Sequence, residues 1–79
     1  MKVMLFAHLR QLVGHDALEL AVPEPVSADA LWGLLTDRFP QLTGFQSSIR
    51  LAKNCEYATT STRFADGDEV ALIPPVSGG

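Results

Sequence analysis

The last six residues, Pro74-Pro75-Val76-Ser77-Gly78-Gly79, form the stretch whose residue types most suggest chemistry. Gly79 ends in an α-carboxylate, which is ionised and unreactive at neutral pH. Activation, most simply by ATP as an acyl-adenylate, would make it an acyl donor. That donor accepts sulfur to give a thiocarboxylate, or an amine to give an amide. Either step requires another protein's pocket, and the tail suits a narrow one. Gly78 and Gly79 lack a Cβ and permit close backbone approach. Pro74 and Pro75 hold the segment before them extended, which limits the entropy lost on insertion.

The body of the chain offers no rival site of comparable quality. His8 falls at the end of an apolar run and His15 in a turn, and neither has an evident partner for catalysis. Cys55 has Lys53 nearby but no paired base, so it reads as a turn or partly buried cysteine. Asp66, Asp68 and Glu69 lack the ligand spacing of a calcium loop and read as a solvated turn. There is no glycine-rich phosphate loop and no H-E-x-x-H metal pair, so no metal is expected.

The elements that must position the tail follow from patterning. With 79 residues there is room for one domain, and 47% hydrophobic content against 19% charged content argues for a packed core. A single cysteine excludes an internal disulfide and fits a reducing compartment. The start of the sequence lacks a basic n-region followed by a small-residue cleavage site, so no signal peptide is expected, and no apolar run is long enough for a bilayer. A net charge of −3 with six scattered Lys and Arg residues speaks against nucleic acid. These features predict a cytoplasmic protein.

Residues 2–9, KVMLFAHL, are apolar on both parities and predict a central strand covered on both faces. Gly14-His15-Asp16 supplies a turn. Residues 17–22, ALELAV, place Leu18, Leu20 and Val22 on one face of a second strand, and Pro23-Glu24-Pro25 ends it. Ser27 is a candidate helix N-cap, with Asp29 in the first turn. Ala28, Leu31, Trp32, Leu35 and Phe39 then form one helical face, stopped by Pro40. A polar connection over 41–48, with room for a short helical turn, leads to two short strands, 49–53 and 56–58, about an Asn54-Cys55 turn. Asp66-Gly67-Asp68 is a further turn before the apolar run Val70–Ile73.

The order strand, strand, helix, short strands, strand, with first and last strands both doubly apolar, predicts a mixed sheet in which those two are neighbours and parallel. One helix covers one face. This is an α+β, ubiquitin-like β-grasp arrangement, with a domain over 1–73 and a flexible tail over 74–79.

The segment DGDEVALIPPVSGG, Asp66 to Gly79, resembles the C-terminal signature of the small subunits of molybdopterin synthase. The opening VMLFAHLRQLVG, with Phe6, Ala7, Leu9 and Arg10 in an F-A-x-L-R pattern, is similar to that family's first strand and turn. Leu31, Leu35, Phe39-Pro40 and Leu42 match its helix and exit, so the likeness covers nearly the whole chain. Gln11 and Lys53 depart from the family pattern. The resemblance implies a ubiquitin-like sulfur carrier that supplies no catalytic groups of its own. Gly79 would be adenylated by an E1-like activating enzyme using ATP and magnesium, then converted to a thiocarboxylate. The tail, Pro74 to Gly78, would thread into the large synthase subunit, which carries the catalytic residues. There the sulfur would pass to cyclic pyranopterin monophosphate in molybdenum cofactor biosynthesis. The assembly implied is a heterotetramer, two small subunits on a large-subunit dimer. The apolar sheet face that the helix leaves uncovered would dock the partner, with Phe6, Leu72 and Ile73 as candidate contacts.

Three other readings stay open on the residues alone. The sulfur could go to thiamine or tRNA. The tail could instead be conjugated to lysines, making the chain a protein modifier. The domain could also be a simple binding module with an idle tail.

Overall fold

The computed structural model describes residues 1–74, apart from the side chains of Ala7 and His8. The chain runs β1 (Lys2–Leu5), α1 (Ala7–Val13), β2 (Ala17–Glu19), α2 (Ala28–Arg38), a single 3-10 turn (Pro40–Leu42), β3 (Arg50–Lys53), β4 (Glu56–Tyr57) and β5 (Glu69–Ile73). The five strands form one sheet in the order β2-β1-β5-β3-β4. β1 and β5 pair in parallel, Val3 beside Val70 and Leu5 beside Leu72, while every other pairing is antiparallel. The mixed sheet with its two apolar strands at the centre is the one expected from the sequence. Its neighbours in sequence, β1 and β2, close a hairpin-like pair, and the crossover through α2 makes the parallel pair possible.

α2 begins where Ser27 caps it, its hydroxyl oxygen accepting the Ala30 N–H at 3.2 Å. Leu31, Trp32 and Leu35 are buried against the sheet, and Ala28 and Phe39 pack on the rim of the same core. Each fully buried leucine contributes about 1.5–3 kcal/mol relative to its exposed state. From the sheet, Val3, Leu5, Leu51, Val70 and Leu72 meet this helix. Phe64, fully buried, is held by two main-chain hydrogen bonds with Val26, 2.9 and 2.8 Å long. Among the described residues no helix is long and apolar enough to cross a membrane.

The first strand is shorter than expected. It stops at Leu5, and Ala7–Val13, including His8, is a helix rather than the continuation of a strand. Leu9 and Val13, one helical turn apart, are buried in the common core, whereas Arg10, Gln11 and Leu12 face out. The apolar run 2–9 has no decisive period of its own, and the four-residue spacing from Leu9 to Val13 beyond it was the helical signal. Gly14 ends α1 in the left-handed region, φ 87°, its N–H donating to the Arg10 carbonyl at 2.8 Å. The second strand is also short, three residues, yet Leu18, Leu20 and Val22 are all buried as the alternation requires.

Candidate docking face and tail root

β5 carries its side chains to two environments. Val70 and Leu72 point into the helix-covered core, and Glu69, Ala71 and Ile73 point the other way. On that second face, Met4 and Phe6 stand beside Ala71 and Ile73, and Ala52 and Tyr57 beyond them. The six side chains line a shallow apolar depression of about 290 Å³, with Glu69 and Cys55 on its far rim. Neither helix covers it. Phe6 is 46% exposed and Tyr57 57%, which marks an apolar surface available to a partner.

Phe6 and Ile73, expected as partner contacts, both lie on this face. Leu72 does not. It is fully buried under α2, because a strand's period of two sends it opposite to Ile73. Met4, Ala52, Tyr57 and Ala71 belong to the face and were not singled out from the sequence. The alternation along β1 and β5 would have found Met4 and Ala71 once Leu72 was placed inward. Tyr57 required the β3–β4 pairing.

The tail leaves from the middle of the sheet. Ile73 is the last residue of β5, with β1 on one side and β3 on the other, and Arg50 is its register partner. Pro74, half-buried, follows outside any regular element. Pro75, Val76, Ser77, Gly78 and Gly79, named above for threading and reaction, lie outside the described residues.

The opposite end of the sheet is acidic and tied down. Asp66 accepts the Val22 N–H at 3.2 Å and lies 3.4 Å from the Met1 ammonium. That backbone hydrogen bond, reinforced by the ammonium, holds the Asp66 carboxyl below its ordinary range. Asp68 accepts the Ala65 N–H at 2.8 Å and meets Lys53 at 3.6 Å. The Ala65 bond, with lesser help from Asn54 and Lys53, lowers its carboxyl despite the opposing effect of desolvation. These carboxylates are structural, committed to the turn about Gly67. Among the described residues no group of three His, Cys, Asp or Glu side chains could hold a metal ion. Cys55 is exposed, not partly buried, and sits in the turn with φ 73°.

The central strand β5 thus ends at Ile73 beside an open apolar face. Residues 3–79 match the ThiS family. The molybdopterin synthase sulfur carrier subunit of Arabidopsis thaliana is 41% identical over 99% of this chain and 81% of its own. That of Aedes aegypti is 39% identical over 98% of this chain and 86% of its own. The chain belongs to the ThiS family and, within it, to the molybdopterin synthase sulfur carrier subunits. Among solved structures, the small archaeal modifier protein 1 of Haloferax volcanii superposes with a TM-score of 0.83 at 29% identity, over 99% of this chain and 97% of its own. A putative molybdopterin converting factor subunit 1 from Pyrococcus furiosus gives 0.82, also at 29% identity, with 95% of each chain covered. These neighbours confirm the ubiquitin-like β-grasp of this ThiS-family sulfur carrier.

Proposed function

We propose that this carrier works in the cytoplasm as the sulfur-donating small subunit of molybdopterin synthase, with Gly79 as the reacting residue. An E1-like enzyme joins the Gly79 carboxylate to the adenylate of ATP, with magnesium, releasing pyrophosphate. Sulfide-level sulfur, as HS⁻, then attacks the acyl carbon; AMP leaves, the proton is released, and a thiocarboxylate remains. The large synthase subunit covers the open sheet face and draws Pro74 to Gly79 into its own catalytic pocket. There the sulfur passes to cyclic pyranopterin monophosphate, and water takes its place on the acyl carbon, so that the Gly79 carboxylate is regenerated. The subunits assemble as a heterotetramer. A complex of subunits 1 and 2 of the molybdopterin-converting factor of Helicobacter pylori shares the fold, with a TM-score of 0.68 at 22% identity over 99% of this chain and 96% of its own.

The observation that carries this reading is the parallel pairing of β1 and β5, which brings Ile73 and Pro74 out at mid-sheet beside the apolar face. Deleting Gly79 tests the role. The truncated chain should fold and bind the large subunit while transferring no sulfur, whereas undiminished transfer would refute the assignment.

A second reading has its own support. The likeness to small archaeal modifier protein 1 extends to Methanosarcina acetivorans, at 33% identity and a TM-score of 0.73 over 99% of this chain and 94% of its own. Conjugation of Gly79 to lysines uses the same activated carboxyl. A lysine-linked adduct of this chain on host proteins would establish it.

A further inference from the structure

Arg50 stands opposite Ile73 across the β3–β5 pair, at the end of the sheet from which the chain departs. Strand alternation puts it on the same face as Ala52, the open one. Its guanidinium carbon lies 4.2 Å from the centroid of the Tyr57 ring. Two other basic groups are paired within the chain, Arg10 with Asp16 at 3.8 Å and Lys53 with Asp68 at 3.6 Å, and Arg38 donates to the Glu19 carbonyl at 2.8 Å. Among the described residues no carboxylate comes within ion-pair distance of Arg50.

Stacking on an aromatic ring fixes the plane of a guanidinium and leaves the N–H groups on its edge free. The fork so presented matches two oxygens held side by side, as in a carboxylate. A partner that covers Ile73 and Tyr57 must also take Arg50 out of water. Burying that charge without an acceptor is strongly unfavourable, so a stable complex requires the partner to supply one. The reacting Gly79 lies six residues beyond Ile73. When the tail is drawn into the catalytic pocket, substrate phosphates are therefore remote from Arg50, and a protein side chain is the available anion.

We infer that the Arg50–Tyr57 pair is an ionic anchor on the rim of the docking face, taking an Asp or Glu side chain of the large synthase subunit. The inference rests on the docking role proposed for this face and adds the chemistry of one contact to it. Apolar contacts from Phe6, Ile73 and Tyr57 give the face its adhesion, and the anchor sets the rotational register in which the tail meets its channel.

The test measures the dissociation constant of the full chain for the large synthase subunit of the same host, at low and high sodium chloride. Arg50→Gln keeps a polar stem without charge, Arg50→Glu reverses the charge, and Ile73→Asp controls for the face. Native-like circular dichroism establishes that each variant is folded. Arg50→Gln should weaken binding about tenfold or more and flatten its salt dependence, and Arg50→Glu should weaken it further. Changing one carboxylate of the large subunit to arginine should restore binding to Arg50→Glu. If Ile73→Asp abolishes binding but both Arg50 variants bind as the parent does, the anchor is overturned and the docking face stands. If Ile73→Asp also binds normally, the face is not the contact and both ideas fail.

Discussion

Asn54 closes on Glu69 through two hydrogen bonds: its N–H donates to the Glu69 carbonyl at 2.8 Å, and its side-chain oxygen accepts the Glu69 N–H at 3.0 Å. The residue also has φ 50°, in the left-handed region. Turn geometry and the end of the β3–β5 seam therefore meet at one residue, through its backbone and its side chain together. Asn54→Ala should destabilise the domain by about 1–3 kcal/mol, the sum of a left-handed strain and the side chain's two lost bonds, to the Glu69 N–H and to the Asp68 carboxylate at 3.3 Å. Asn54→Gly should lose less, because glycine accepts the backbone angle. Denaturant unfolding of the three proteins checks the order.

Cys55 makes the opposite prediction. It is exposed with φ 73°, beside Asn54, so the β3–β4 link has the two left-handed residues of a type I′ turn. Asn-Gly is the preferred pair for such turns. Cys55→Gly should raise stability by up to about 1 kcal/mol, and a fall in melting temperature would contradict the turn assignment.

Neighbouring residues of β5 separate the two faces. Leu72→Ala, emptying a fully buried site, should destabilise by about 2–5 kcal/mol. Ile73→Ala, on the open face, should destabilise less than that and weaken binding to the large subunit. Thermal unfolding of the free proteins together with calorimetric binding resolves the two effects, and equal destabilisation would contradict the assignment of faces.

How far these features could be read in the sequence depends on how decisively the residues repeat. The α2 stripe from Ala28 to Phe39, capped by Ser27 and stopped by Pro40, admits one period and one pair of ends, and it stands as expected. The parallel β1–β5 pair stands as the two doubly apolar runs led one to expect, but cover on both faces does not, since Met4, Phe6, Ala71 and Ile73 line an open face. Leu5 to Val13 was ambiguous, since an apolar stretch buried on a core satisfies strand and helix alike. The single Leu9–Val13 spacing is a weak helical signal, and burial of both residues in the common core goes with the helix. Leu72 was misplaced for a related reason. Without a known register, a continuous apolar strand does not reveal which parity faces the helix, and a shift of one residue exchanges the faces. The Arg50–Tyr57 stack arises from residues seven apart on different strands, which no local pattern encodes.

Acid stability follows from Asp66 and Asp68. Both carboxyls lie below their ordinary value of 3.8 in the folded chain, chiefly through backbone N–H groups of Val22 and Ala65. A depressed folded value means that the unfolded state binds protons first. The stabilisation is therefore complete above the unfolded value and is lost as pH falls from there through the folded values. Stability measured below about pH 4 should decline in the parent. The decline should be shallower in Asp66→Asn and Asp68→Asn, each already less stable at neutral pH. An unchanged acid limb in both variants would contradict the assignment.

The most direct test of the central claim is the intact mass of the chain after incubation with its activating enzyme, ATP, magnesium and a sulfur donor. The expected product has one oxygen of the Gly79 carboxylate replaced by one sulfur, and fragmentation places that change on the terminal residue. An unchanged mass, under conditions in which a related carrier is converted, would contradict the assignment of Gly79 as the sulfur-bearing group.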